Sequence, residues 1–306
     1  MDVFPDVIRI EAVGQCNFRC IHCPTGTEPN NRKALSEEKF SVILEQFQKN
    51  NYVPRVAVLY HGGEPLLNKN LATYIRALKK MGVSKTVITT NASLLDEFRA
   101  QELIRAGLDE IKISFDGESP EENNSIRRNG DFRKNAENVR RFCALLREMG
   151  REDMNVIISN VRICKLATIE KFIKEKQTSF AEPPQYLKDF FSDEAGVVKF
   201  QSFPAMIWPG YERYSSLKAA EFDRKQLSYC GPLFETYTIM ANGDVVACCY
   251  DLNGEVVFGN VFEVDMFEIW NGEKYRKFRN DFRQQRYSSL CLKCNLVVPR
   301  FLYRND

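Results

Sequence analysis

The chain has 306 residues, a formal net charge of +2, 44% hydrophobic residues and 27% charged ones. A balance so near neutral excludes the electrostatic footprint of a nucleic-acid binder or a membrane-surface protein, and the absence of any run of about 18 apolar residues leaves no candidate membrane span. A chain of this length buries a sizeable core without disulfides, and the start MDVFPDVIRI has acidic residues and no long apolar block, so it does not read as a signal peptide and a cytoplasmic location is expected.

In chain order, the first apolar run (residues 7–13) predicts a strand that leads into a cysteine-rich loop. Ser36 is placed to cap a helix whose first turn holds Glu37 and Glu38 and whose apolar stripe is Phe40, Ile43, Leu44 and Phe47. A strand at 55–60 follows, then a helix with Leu71, Tyr74, Ile75 and Leu78 on one face that stops at Gly82. Strands at 86–89, 111–115, 155–159 and 198–202 alternate with helices ending near Gly107 and at Gly150. Several of these strands lack clean alternation, as expected where both sheet faces are covered. Repeated strand–helix units imply parallel strands with right-handed crossovers. The expected fold class is therefore α/β, an open partial (β/α)6 TIM-like barrel with its chemistry at the C-terminal strand ends. After residue 202 the pattern fades. PAMIWPGYERY breaks it and reads as a bridge or lid over 206–229, and 230–306 reads as a small unit built from a β-hairpin and a helix. Asn242-Gly243 between two β-rich runs marks the hairpin, and a helix over 267–283 carries Trp270, Tyr275 and Phe278.

Ten cysteines in a chain expected to sit in a reducing compartment point to metal or redox chemistry. Cys143 and Cys164 stand alone and read as buried small hydrophobes. Cys16, Cys20 and Cys23 form a CxxxCxxC run directly after the first strand. Three thiolates on one short loop can hold three corners of an iron–sulfur cube and leave its fourth iron open, the arrangement a catalytic site needs. The bland alternative is a zinc knuckle made by Cys16, Cys20, His22 and Cys23.

CxxxCxHC after an N-terminal strand resembles the signature of the radical S-adenosylmethionine (SAM) superfamily. The resemblance covers roughly residues 7–205, a radical SAM core spanning 1–205. It implies a [4Fe-4S] cluster on Cys16, Cys20 and Cys23, whose open iron holds SAM, and reductive cleavage of SAM to a 5′-deoxyadenosyl radical that abstracts hydrogen from a C–H bond. In the family the position of His22 lies near the SAM adenine. His61-Gly62-Gly63-Glu64-Pro65 looks like the GGEP motif that holds the methionine amino group, with Gly62, Gly63 and Glu64 as its members. Asn91 ends the third strand, and Ser114 and Asp116 end the fourth, where family members often meet the SAM ribose and carboxylate. Arg127 matches a basic position that often pairs with the SAM carboxylate, with Arg128 as the alternative partner.

The C-terminal part has Cys230, Cys248, Cys291 and Cys294 in a Cys-x12-Gly-x4-Cys…CxxC arrangement that resembles SPASM and twitch domains. That implies a second, auxiliary [4Fe-4S] cluster over 230–306, with structural zinc as the runner-up. Cys249 is left over. Adjacent strand residues face opposite ways, so it lies in the core, substitutes for Cys248, or faces substrate as a hydrogen-atom donor. Two outcomes are expected on a sugar, aminoglycoside or aminocyclitol: epimerisation with Cys249 as donor, or alcohol dehydrogenation. Ribosomal-peptide modification is the alternative, ranked lower because the cluster motif begins at residue 16 and leaves little room for a leader-binding domain. A non-catalytic zinc-binding protein is the alternative of another class. The partners implied are a small-molecule or peptide substrate and a one-electron donor such as flavodoxin or ferredoxin, with no nucleic acid and no membrane.

Overall fold

The computed structural model describes residues 3–27, 32–209 and 217–304. Among them, nine strands form the main sheet. They are β1 (Val7–Ile10), β2 (Val56–Val58), β3 (Lys85–Thr90), β4 (Glu110–Asp116), β5 (Asn155–Arg162), β6 (Val198–Pro204), β7 (Thr236–Ile239), β8 (Asp244–Val246) and β9 (Val257–Asn260). Their order across the sheet is β9-β8-β7-β1-β2-β3-β4-β5-β6. Every pair from β7 to β6 is parallel, while β7–β8 and β8–β9 are antiparallel. This is the partial barrel expected, with β6 and β9 as its open edges.

Helices α1 (Glu37–Lys49), α2 (Leu71–Lys80), α3 (Glu97–Ala106), α4 (Phe132–Glu148) and α5 (Leu166–Lys174) make the crossovers. Ser36 caps α1 by accepting a hydrogen bond from the Lys39 amide at 3.2 Å. Phe40 of α1 stacks on Tyr74 of α2 with ring centres 4.0 Å apart. The apolar stripes of α1 to α4 cover one sheet face, where Ile8, Ile10, Ala57, Ile88, Ile111, Ile113, Val156 and Ile158 are fully buried. Cys143 lies in that core and Cys164 in a smaller satellite core, as lone cysteines commonly do. The opposite face carries the polar residues: Arg9 pairs across to Val58, Thr89 to Lys112, and Ser114 to Ser159, with Val87 and Ile157 between them. Only one face of the barrel wall is thus an apolar core, and the other is free to line a site.

The C-terminal unit departs from the expectation in two ways. The hairpin at Asn242-Gly243 is present, and Gly243 takes φ +93°, which a side chain would disfavour. Its first strand, however, pairs in parallel with β1 and so extends the core sheet. An edge strand exposes unpaired N–H and C=O groups, and β7 covers that edge of β1. The single helix over 267–283 is two helices, α6 (Met266–Asn271) and α7 (Glu273–Arg283), because Gly272 between them is extended (φ −62°, ψ 153°). The proline- and aromatic-rich bridge falls partly outside the described residues. Beyond it, Lys218–Glu221 pairs with Arg300–Arg304, and that strand pairs with Cys164–Lys165. Among the described residues no helix is long and apolar enough to cross a membrane.

Candidate active site

Four loops meet at the C-terminal ends of β1 to β4, and hydrogen bonds between them fix the cysteine loop. Arg19 and Cys20 pair antiparallel with Arg128 and Arg127, and the Ile21 amide donates to the Ile126 carbonyl at 2.9 Å. The Glu64 amide donates to the Gln15 carbonyl at 2.9 Å. Asn91 Nδ2 donates to Asn17 Oδ1 at 2.9 Å, and Asn17 Nδ2 donates to Ser93 Oγ at 2.9 Å. Within the loop, the Phe18 amide donates to Cys16 Sγ at 3.4 Å, and a turn joins the Cys23 amide to the Cys20 carbonyl at 3.1 Å. Burial pushes Cys16 up to about 11 and Cys20 up to about 12. Cys23 contributes to the rise at both, and Cys16 to that at Cys20, which places the three in one electrostatic neighbourhood. Without a metal Cys16 and Cys20 stay protonated at neutral pH, and a group that binds them as thiolates releases those protons.

The candidate SAM residues surround this loop, several of them with polar atoms already engaged. Glu64 is buried; its carboxylate accepts from Thr90 Oγ1 at 2.7 Å, the Asn91 amide at 2.8 Å and the Leu66 amide at 3.1 Å. It therefore shapes the loop, and the Gly62 amide before it donates to Glu11 Oε1 at 3.4 Å. A Cβ on Gly63 would lie 2.1 Å from the Val13 carbonyl oxygen and one on Gly62 2.9 Å from Thr25 Oγ1. Asn91 Oδ1 accepts from the Ser93 amide and hydroxyl. Asp116 Oδ2 accepts from Arg127 Nη1 at 2.9 Å and lies 3.8 Å from His22 Nε2. Burial lowers the His22 pKa, so its imidazole is neutral at pH 7, and its Nδ1 is buried without a partner among the described residues. Ser114 lies half-buried on the polar barrel face, paired with Ser159 of β5.

Cys230, Cys248, Cys291 and Cys294 line one apolar-walled cavity together with Leu233, Tyr250, Phe278 and Phe282. Cys249 is not among the described residues lining it; burial pushes its thiol up, and Arg9 of β1 is the nearby charge that partly offsets this. Four thiols from three separate segments on one cavity suit a cluster of several irons. A single zinc, with Zn–S near 2.3 Å, needs its sulfurs about 3.8 Å apart. Among the described residues no three His, Cys, Asp or Glu side chains are grouped for a single ion.

Between the two thiol sets lies a buried network that sequence reasoning missed. Glu11 is fully buried; it accepts from Arg32 Nε at 3.0 Å and the Ala241 amide at 3.1 Å. Arg32 Nη2 donates to the Leu252 carbonyl at 2.8 Å, and His61 Nε2 meets the Asp251 carbonyl at 3.0 Å. The GGEP loop is thereby tied to the loop that carries Cys248. Burial lowers His61 to about 4, so it is a neutral donor there. Arg9 sits beside this network, its guanidinium 4.8 Å from the Tyr60 ring centre and its Nη1 3.0 Å from the Tyr60 carbonyl, while its buried Nε has no acceptor among the described residues. The available signal was two charged residues, Arg9 and Glu11, inside an otherwise apolar first strand.

A family model described as the radical SAM superfamily matches residues 10–173, more than half of the chain. A second, SPASM, described as an iron–sulfur cluster-binding domain, matches residues 230–295. Among curated proteins, the chain is 35% identical over 127 residues to a GTP 3′,8-cyclase of Heliobacterium modesticaldum, covering 40% of this chain and 38% of that protein. It is 27% identical over 169 residues to a probable GTP 3′,8-cyclase of Methanocaldococcus jannaschii, covering 55% of each. The chain thus spans about half or less of the length of these relatives. Among solved structures, BtrN in complex with AdoMet and 2-DOIA aligns over 96% of this chain and 94% of that one, with TM-score 0.62 and 18% identity. Native anSMEcpe with bound AdoMet aligns over 90% and 84%, with TM-score 0.60 and 15% identity. At these identities the likeness is one of fold.

The curated relatives correct the expected reaction. They are GTP cyclases, which overturns epimerisation with Cys249 as donor, alcohol dehydrogenation of a sugar, aminoglycoside or aminocyclitol, and ribosomal-peptide modification. The non-catalytic zinc protein falls with the superfamily match. The physical reason is that cluster and SAM motifs encode the radical-generating machinery, which many reactions share, and a leftover cysteine carries no information about substrate. The two matched domains imply a [4Fe-4S] cluster with SAM and auxiliary iron–sulfur binding. From its barrel, its three-cysteine loop and its domain matches, the chain belongs to the radical SAM superfamily and carries a C-terminal SPASM domain.

Proposed function

We propose that this enzyme abstracts hydrogen from an anionic small molecule held on the polar barrel face between the two thiol sets, with a purine nucleotide such as GTP as the first candidate. The observation that carries the reading is Arg9. It stands on the polar face of β1, near Cys249, and has a buried guanidinium N–H with no acceptor among the described residues. An unpaired buried donor is costly unless a ligand satisfies it, and a guanidinium suits phosphate or carboxylate. The printed activity of the curated relatives supports a nucleotide.

In this reading the bound cofactors supply a radical from SAM once an electron reaches the first cluster, and a flavodoxin- or ferredoxin-type donor provides that electron. Cys16, Cys20 and Cys23 hold the first cluster. Cys230, Cys248, Cys291 and Cys294 hold the second. The backbone of Gly62 and Gly63 offers carbonyls to the methionine ammonium while Glu64 keeps that loop in shape. His22, as a neutral imidazole, borders the adenine. Asn91 and Ser114 edge the SAM pocket. The proposed division is a core over 1–205, a bridge over 206–229 and an auxiliary-cluster unit over 230–306.

The test is anaerobic turnover of reconstituted enzyme with SAM and dithionite, with and without GTP. We expect 5′-deoxyadenosine formation that GTP stimulates, and an Arg9→Ala variant with a raised KM for GTP and intact iron content. Release of 5′-deoxyadenosine without any response to GTP refutes the nucleotide reading, and no release under any condition refutes the radical chemistry.

A further inference from the structure

We infer that the outer face of the cysteine loop, marked by Arg19, Arg128 and Lys134, is the docking surface for an acidic one-electron carrier protein that reduces the first cluster. The inference rests on the external donor of the proposed function, and adds where on the molecule that donor binds and what draws it there.

The surface is built on a short ribbon behind the first thiol set. Arg19–Cys20 pairs antiparallel with Arg127–Arg128, with Arg19 opposite Arg128 and Cys20 opposite Arg127. Residues directly opposite in such a ladder share a face, and neighbours along a strand take opposite faces. Burial follows that alternation: Cys20 is buried and the Arg127 side chain is 11% exposed, while Arg19 and Arg128 are exposed. The ribbon is one residue thick, so two outward cations stand directly behind a candidate cluster ligand. Like charges directly opposite each other weaken a ladder, and among the described residues neither arginine forms an ion pair; Arg19 Nη1 donates instead to the Cys16 and Phe18 carbonyls at 2.9 and 3.0 Å. The chain leaving the ribbon adds to the charge. Residues 128–134, RNGDFRK, hold three cations and one carboxylate. That carboxylate, on Asp131, caps α4 by accepting from the Lys134 amide at 3.0 Å. Lys134 is exposed and makes no ion pair among the described residues, while Arg133 has the exposed Glu121 in its surroundings. On a chain whose formal net charge is only +2, this is a concentrated positive surface.

One electron leaves the reduced carrier, which is oxidised by one electron, and enters the group held by Cys16, Cys20 and Cys23; no covalent bond changes in either protein. Encounters between electron carriers bury little surface and are transient. Charge on the approach surface therefore governs how fast they form and how the partners are turned. An acidic carrier gains attraction from Arg19, Arg128 and Lys134, relieves the repulsion between the two opposed arginines, and brings its redox group up to the outer side of Cys20. A purely structural ribbon has no use for cations at these positions.

The experiment is anaerobic stopped-flow mixing of the reconstituted full-length protein with photoreduced flavodoxin, following oxidation of its flavin. Electron paramagnetic resonance of frozen samples shows which cluster is reduced, the first being the one whose signal responds to SAM. The wild-type second-order rate is expected to fall about tenfold or more as ionic strength rises from about 0.01 M to about 1 M, which shortens the screening length from about 30 Å to about 3 Å. Arg128→Glu combined with Lys134→Glu should lose about tenfold or more of the low-salt rate and most of its salt dependence. Lys134→Glu alone should lose part of it, and Lys274→Glu, the same charge change on the exposed surface of α7, should stay near wild type. Iron content is measured for each. If the double variant fails to take up iron, Lys134→Glu against Lys274→Glu still decides, because Lys134 lies outside the ribbon. Equal rates for wild type and these variants at full iron content overturn the inference, as do a wild-type rate insensitive to salt or a loss in Lys274→Glu that matches Lys134→Glu. A first cluster that dithionite reduces and flavodoxin does not overturns the docking surface alone. A protein with no dithionite-reducible cluster at the first thiol set overturns the superfamily chemistry beneath it. GTP is absent throughout, so the nucleotide reading stands or falls separately.

Discussion

Gly63→Ala tests the idea that the GGEP loop is zippered onto the cysteine loop. The new Cβ would lie 2.1 Å from the Val13 carbonyl oxygen and 2.5 Å from the Gln15 carbonyl oxygen. Both obstacles are backbone, so no side chain can rotate away, and the two loops must part by about 1 Å to restore ordinary contact. That movement breaks the 2.9 Å bond from the Glu64 amide to the Gln15 carbonyl, just before Cys16. Overpacking costs about 1–3 kcal/mol and a lost hydrogen bond about 1 kcal/mol, so the metal-free protein should lose about 2–4 kcal/mol in urea denaturation. Iron per chain after reconstitution should fall towards half, with the second cluster retained. Two substitutions serve as controls. Gly62→Ala meets the Thr25 hydroxyl at 2.9 Å, a side-chain atom that can turn away, and Gly196→Ala meets nothing within 4 Å. Gly196→Ala should be neutral or stabilise by a few tenths to about 1 kcal/mol by restricting the unfolded chain. A Gly63→Ala protein with wild-type stability and wild-type iron content would refute the argument.

Two further outcomes follow from the burial pattern. Cys248→Ala should lose the second cluster and keep the first, whereas Cys249→Ala should keep both; iron analysis of the two variants decides, and equal losses would reverse the ligand assignment. His61 is held by burial at about 4, below its usual 6.5, so the stability tied to its neutral form is present above pH 6.5 and lost as pH falls through 4. The full effect is about 3 kcal/mol. Denaturation of the metal-free protein from pH 7 to 4 should show that decline, and His61→Gln should flatten it; an unchanged slope in the variant would count against a buried neutral imidazole.

What the sequence by itself determined was local in origin. The caps and apolar stripes of α1 and α2, the six barrel strands and the Asn242-Gly243 hairpin all rest on neighbours within a turn or a strand, where steric and hydrogen-bonding preferences act directly. The CxxxCxxC and CxxC spacings belong to the same class, because ligands that close on one cluster from one loop must be close in sequence. Gly272 was the local exception, a breaker inside an otherwise helical stretch. The tertiary structure alone decided the pairing of β7 with β1 and the grip of Glu11 on the Ala241 amide 230 residues away. It also decided which of two adjacent cysteines lines the second cavity. Those contacts join segments far apart along the chain, and a buried charge takes whichever partner the fold brings within reach, so no spacing in the sequence encodes them.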